Sequence, residues 1–249
     1  MTQPIILITG SSRGIGAATA LLAADAGYAV CVNYKTKKTA ATKIVKQIKQ
    51  KGGHAICVQA DVSKETEVTR LFDTIDDKLG PLSALVNNAG ILQPKMHVED
   101  MCATRINTIL THNVTSAFLC AKAAILRMST SHGGQGGSIV NVTSAAARTG
   151  SPFEYIDYAA SKGALDSMTK GLSIELASSG IRVNAVRPAL IDTDIHTDSN
   201  QPDRVQQKKY LIPLQQIGTA QDVAHAVLYL LSDKADFITG SFIDVSGGL

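Results

Sequence analysis

Short runs rich in Val, Ile and Ala recur at Ile5–Thr9, Ala29–Asn33, Ala55–Gln59, Ala84–Asn87, Ser138–Val142, Arg182–Arg187 and Phe242–Val245. Polar and apolar positions do not alternate within them. A strand with one wet face alternates with period two, whereas a strand covered on both faces reads as a continuous apolar run. The seven runs therefore predict strands of a parallel sheet with helices on both faces. The stretches between them have helical spacing. In Thr66–Leu79, for example, Val68, Leu71, Phe72, Ile75 and Leu79 fall on one stripe. Helices are also predicted over Ala17–Ala26 and Tyr158–Ala177, and Gly27, Gly52-Gly53 and Gly80-Pro81 stand where helices end. Such a series predicts an α/β, doubly wound fold. No repeat, low-complexity tract or linker interrupts it, so residues 1–249 are expected to form a single domain.

Composition narrows the class. Apolar residues make up 45% of the 249 and charged residues only 18%, below the usual roughly 25%. Disorder is excluded for the bulk of the chain, and sparse charge suggests surface covered by sister subunits. No apolar run reaches the roughly 18 residues that cross a bilayer. The N-terminus, Met1-Thr2-Gln3-Pro4, lacks a charged leader region, and a cytoplasmic protein with no membrane partner is expected. Cys31, Cys57, Cys102 and Cys120 show no C-x-x-C spacing, and the six histidines form no ligand pair at helical spacing. No metal is expected.

The first predicted strand runs into Thr9-Gly10-Ser11-Ser12-Arg13-Gly14-Ile15-Gly16 and then into a helix. Missing Cβ atoms at such a turn let backbone N–H groups approach a pyrophosphate at the helix N-terminus. No Lys-Ser/Thr pair follows the glycines, which favours a dinucleotide over a nucleoside triphosphate. Asn87-Asn88-Ala89-Gly90 closes the fourth run, and Asp61-Val62 follows the third, where an adenine edge would lie. Either pair is also ordinary turn chemistry; they gain weight jointly.

Tyr158 and Lys162 are four apart on one predicted helix and so share a face. A nearby ammonium favours a phenolate, so Lys162 is expected to lower the pKa of Tyr158 and make it a proton donor to a carbonyl. Tyr34 and Lys38 share this spacing without such company. Ser144 ends the fifth run and should emerge at the carboxyl edge of the sheet to hold the substrate oxygen. Tyr155 is a rival phenol, but Ala159 stands four residues on, so it lacks a cation in sequence.

With Asn113 and Arg187-Pro188, these motifs resemble the short-chain dehydrogenase/reductase family, in family order over nearly the whole chain. The resemblance implies a seven-stranded Rossmann sheet, a nicotinamide cofactor and usually a homotetramer. It implies Tyr158 as general acid/base, Ser144 as anchor of the substrate oxygen, and Lys162 as pKa modifier and ribose ligand. Asn113 would hold a water that links Lys162 to solvent. The cofactor contacts it implies are Gly10, Ser12, Arg13, Gly14, Ile15, Gly16, Asn33, Tyr34, Lys35, Asp61, Val62, Asn88, Ala89, Gly90, Tyr158, Lys162, Pro188, Ala189, Ile191 and Thr193. One departure stands out, because Ala189 replaces the family's usual glycine after the sixth strand. A negative φ is expected there.

Specificity should come from Ala189–Gly218 and Ile91–His97. The first carries Asp192, Asp194, His196, Asp198, Asp203, Arg204, Lys208 and Lys209, a polar lid compatible with a sugar or polyol. The chain is also similar to bacterial members of glucose 1-dehydrogenase-like and 3-oxoacyl-carrier-protein-reductase-like type. NADP(H) is favoured over NAD(H), since the second strand ends in Asn33-Tyr34-Lys35 and no carboxylate lies between Asp25 and Asp61. A 2′-phosphate would meet no like charge, and Arg13 suits it as a bidentate partner. An alternative is a non-catalytic dinucleotide sensor or nucleic-acid binder. Residues 26–60 hold seven lysines and no acid, although no aromatic interleaving accompanies them.

Overall fold

Seven parallel strands form one sheet in the order β3-β2-β1-β4-β5-β6-β7. They are β1 Ile5–Ile8, β2 Ala29–Tyr34, β3 Ala55–Gln59, β4 Ala84–Asn87, β5 Gly137–Val142, β6 Ile181–Pro188 and β7 Phe242–Val245. The structure is a computed structural model. It describes residues 3–249 except the side chain of His196, so Met1 and Thr2 of the N-terminal sequence lie outside the described residues. Helices α1 (Gly14–Asp25), α2 (Lys38–Gln50), α3 (Glu65–Lys78), α4 (Ala103–Leu110) and α5 (Ser116–Met128) come first in the chain. They are followed by α6 (Ala146–Thr149), α7 (Ile156–Glu175), α8 (Ile195–Asp198), α9 (Arg204–Lys208) and α10 (Ala220–Leu231).

The seven apolar runs are the seven strands, with ends shifted by one residue or none. The helix expected from Ala17 begins at Gly14, because Gly14 and Gly16 form its first turn. The one expected from Tyr158 begins at Ile156, and Ala177–Ser179 turns to 3₁₀ geometry before Gly180. Within one strand the apolar residues divide between two cores. Ile6 and Ile8 pack with Ala20, Ile48 and Val227 of α1, α2 and α10. Ile5 and Leu7 pack with Phe72, Cys120 and Met128 of α3 and α5 on the other face. Burial on both sides is the reason no alternation marks these strands.

Helices α4 and α5 join through a π-turn, Thr111–Thr115, into one continuous rod. Within Ala103–Met128 an 18-residue stretch has a mean hydropathy of 1.4, enough by length and composition to cross a membrane, although polar residues such as Asn113 and Lys122 interrupt the apolar run. Ile109, Ala117, Cys120, Ala124 and Met128 of this rod pack inside the fold, while Phe118 and Leu126 are exposed. On α2 the apolar stripe Ile44, Val45 and Ile48 is buried, while Lys43, Lys46 and Lys49 face solvent. The sheet order reverses between β1 and β4, and such switch points form ligand crevices at strand carboxyl ends.

Candidate active site

A cleft of about 880 Å³ opens along the carboxyl ends of the strands. All the residues expected to act line it except Gly16 and Asn113. Both of these work from behind. A Cβ at Gly16 would lie 2.6 Å from Asn88 Nδ2 and 2.8 Å from the Ser11 Cα, so only glycine lets β4 close on this turn. Gly10 has φ +62, and a Cβ there would come within 3.0 Å of the Ala89 Cα. No side chain caps α1 and its first turn holds no acid. Its N–H groups therefore face the cleft with a positive dipole end, which fits a dinucleotide pyrophosphate.

Asparagines lock this frame. Asn33 is buried; its Oδ1 accepts from Gly10 N at 3.1 Å and its Nδ2 donates to Ala60 O at 3.1 Å. Its side chain is thus spent on holding the turn, not on reaching a ligand. Asn88 Nδ2 donates to Thr9 O at 2.8 Å, and Thr9 Oγ1 accepts from Ala89 N at 2.9 Å. Asn113 Nδ2 donates to Ile91 O at 3.1 Å and Ser161 Oγ at 3.0 Å, while Oδ1 accepts from Ile91 N at 2.7 Å. Both amide donors and the amide oxygen are thus engaged within the protein.

Tyr158 and Lys162 face the cleft from α7, and Ser144 meets them from the end of β5. Burial raises the Tyr158 pKa to about 12, against an opposing hydrogen bond with Ser144. Lowering by Lys162 was expected; desolvation prevails instead. Lys162 Nζ donates to Val142 O at 2.8 Å and stands 5.6 Å from the centre of the Tyr158 ring, not at its hydroxyl. Burial pulls the Lys162 pKa down to about 8, opposed by Asp166. A buried ion pair sets where α7 begins. Arg105 Nε donates to Asp157 Oδ2 at 2.8 Å, and Asp157 Oδ1 accepts from Tyr158 N at 2.9 Å. Side-chain exposures of 6% and 2% mark the pair as desolvated. Arg105→Met is expected to lower unfolding free energy by about 3–5 kcal/mol, because a lone buried carboxylate is left behind. A denaturation midpoint equal to that of the native chain would show that the pair contributes nothing.

Two expected free cations are already paired. Arg13 Nη1 donates to Asp198 Oδ1 at 3.2 Å, Arg13 Nη2 pairs with Asp198 Oδ2, and Asp194 lies 3.9 Å away. Lys35 Nζ meets Asp61 Oδ2 at 2.8 Å, and burial opposed by Lys35 and Ser63 leaves Asp61 at about 2. The chain gap without acids concealed these partners, which come from later segments. Tyr155 is likewise not without a cation. The Arg204 guanidinium sits 4.9 Å from its ring centre, and among the described residues the buried Tyr155 hydroxyl has no hydrogen-bond partner.

Ala189 is not among the non-glycine residues with positive φ, as expected. Ala189→Gly should therefore destabilise by about 0.4–1 kcal/mol through unfolded-state entropy. A gain in stability on urea denaturation would contradict this. Segment 145–154, including Glu154, also lines the cleft and escaped sequence reasoning. A lone acid beside two aromatic residues carries no signal until the fold brings its partners.

A family model described as enoyl-(acyl carrier protein) reductase matches residues 10–249. The uncharacterized oxidoreductase YgfF of Escherichia coli (strain K12) is 54% identical over 98% of this chain and 99% of its own. The 3-oxoacyl-[acyl-carrier-protein] reductase of Synechocystis sp. (strain ATCC 27184 / PCC 6803 / Kazusa) is 39% identical over 100% of this chain and 98% of its own. A dehydrogenase/reductase from Sinorhizobium meliloti 1021, known from a crystal structure, superposes with a TM-score of 0.91. It is 30% identical, covering 100% of this chain and 95% of that one. The chain belongs to the short-chain dehydrogenase/reductase family and is an oxidoreductase that uses a nicotinamide dinucleotide.

Proposed function

We propose that this chain is a cytoplasmic, homotetrameric, NADPH-preferring reductase that interconverts a 3-oxoacyl-type carbonyl and its alcohol within a single domain. The observation that carries the reading is the meeting of Ser144, Tyr158 and Lys162 with the glycine turn in one cleft. When bound, the coenzyme supplies hydride to the carbonyl carbon. Ser144 holds the carbonyl oxygen beside Tyr158, whose hydroxyl is protonated at neutral pH and donates its proton to that oxygen. Lys162 stabilises the phenolate that develops. Gly10, Ser12, Gly14 and Ile15 would cradle the phosphates, Asp61 and Val62 the adenine edge, and Pro188, Ala189, Ile191 and Thr193 the nicotinamide side.

The lid disfavours a sugar. Asp194, Asp198, Arg204 and Lys208 are engaged with Arg13 and Glu154, so half of its eight acidic or basic residues are already committed and fewer are left to grip hydroxyls. The names of the Synechocystis and Staphylococcus aureus relatives, both 3-oxoacyl-[acyl-carrier-protein] reductases, point the same way. Exposed Phe118, Leu126 and Ile174 supply apolar surface for self-association. Steady-state oxidation of NADPH with a panel of 3-oxo esters, 3-oxo thioesters, aldoses and simple ketones tests the assignment. Turnover confined to aldoses would replace the 3-oxoacyl reading with the sugar one.

A further inference from the structure

Glu154 lies two residues before α7 and joins three segments that wall the cleft. Its Oε1 accepts from Arg204 Nη1 at 2.9 Å and Lys208 Nζ at 2.8 Å. Its Oε2 accepts from Arg204 Nη2 at 2.7 Å and Lys208 Nζ at 2.9 Å. Arg204 and Lys208 are the first and last residues of α9, so one carboxylate grips the whole helix. The main-chain oxygen of Glu154 also accepts from Met96 N at 3.0 Å, which ties in the loop after β4.

The lid needs such a tie. Residues 192–217 leave the sheet at a bridge between Ile191 and Gly218, where a Cβ on Gly218 would lie 2.5 Å from Ile191 Cδ1, and return to the body where Leu214 N donates to Gly247 O at 3.0 Å. Beyond that stem, Arg13 pairs with Asp198 on the coenzyme side and Glu154 clasps α9 on the other. With Glu154 removed, two partly buried cations four residues apart would face each other over Tyr155 with no counter-charge. Arg204 and Lys208 hold the Glu154 carboxyl at about 2, so the clasp stays charged throughout the neutral range.

We infer that Glu154 is a specificity-determining positioning residue, which shapes the substrate end of the cleft by clasping α9 and the loop at Met96 to the segment before the catalytic helix. It touches no reacting atom. Its effect therefore belongs to substrate binding and not to proton transfer. The inference rests on the proposed reading for which end of the cleft takes the substrate, but the clasp itself is measurable without turnover.

Hydrogen exchange of the whole chain without ligands, native against Glu154→Gln, is the deciding experiment. Peptides covering 204–211 should exchange at least about tenfold faster, with β1, α1 and the main-chain-tied loop 92–97 unchanged. Glu154→Asp, which keeps the charge, should recover much of the protection. With ethyl 3-oxobutanoate as carbonyl probe, KM should rise about tenfold while kcat and NADPH affinity stay within about threefold. Unaltered exchange at 204–211, or a fall in kcat at constant KM, would overturn the inference. Should Glu154→Gln fail to fold, Lys208→Met removes one arm of the clasp. It must then loosen 204–211 without global exchange, or the inference is wrong. If no carbonyl compound is turned over while the exchange result holds, the functional reading fails and the clasp stands.

Discussion

Tyr158→Phe is expected to lower kcat by about two orders of magnitude or more while fold and coenzyme affinity persist. The hydroxyl lies in the cleft with Ser144, and burial holds its pKa near 12, so the group enters the reaction as an acid. Deleting one oxygen removes the proton donor and little packing. Lys162 carries the pH dependence. Burial brings its pKa to about 8, so the ammonium that stabilises a developing phenolate is lost as pH rises through that value. The reductive kcat should therefore fall above about pH 8, and Lys162→Met should flatten that limb at a much lower rate. Stability runs the other way. Between about 8 and the usual 10.5 of lysine the unfolded chain binds the extra proton, so folding gains as pH climbs through that window. Near-normal kcat in Tyr158→Phe would move the acid role elsewhere, first to the unpartnered Tyr155 hydroxyl.

What the sequence made legible follows from the range over which each interaction acts. Strand runs, the glycine turn and the Tyr158–Lys162 spacing are local patterns, and each appears where it was expected. Asn33 and Asn113 were identified as site residues, yet their side chains brace the chain: one holds Gly10 and the other clips Ile91. An amide looks the same in sequence whether it serves a ligand or a backbone. Pairings over long separations were hidden altogether. Arg13 with Asp198 spans 185 positions and Glu154 with Arg204 spans 50. No periodicity encodes a partner that arrives on a loop. The raised pKa of Tyr158 was missed for a related reason, since i, i+4 spacing gives a shared face but not the direction in which an ammonium points.

Coenzyme choice is where those hidden pairs bear most on function. A preference for NADPH over NADH of about tenfold in kcat/KM at low salt is expected, and Arg13→Ala should largely abolish it. A charge-assisted bond from Arg13 to a 2′-phosphate contributes about 1.5–3 kcal/mol. Arg13 must first leave Asp198, but that pair is solvent-exposed on both sides and such pairs contribute only about 0–1 kcal/mol. The difference runs from about 0.5 to 3 kcal/mol, and its middle lies near a tenfold ratio at about 1.4 kcal/mol per decade. Asp61 tempers it, since this carboxylate stays ionised beside Lys35 at any working pH and occupies the second cation. Asp198→Asn should accordingly widen the preference severalfold by freeing Arg13, and added salt should narrow it in the native chain. Dissociation constants for 2′,5′-ADP and 5′-ADP give the same comparison without turnover. Equal kcat/KM for the two coenzymes at low ionic strength would mean that Asp198 and Asp61 hold their cations against the phosphate. Arg13 would then serve the lid alone.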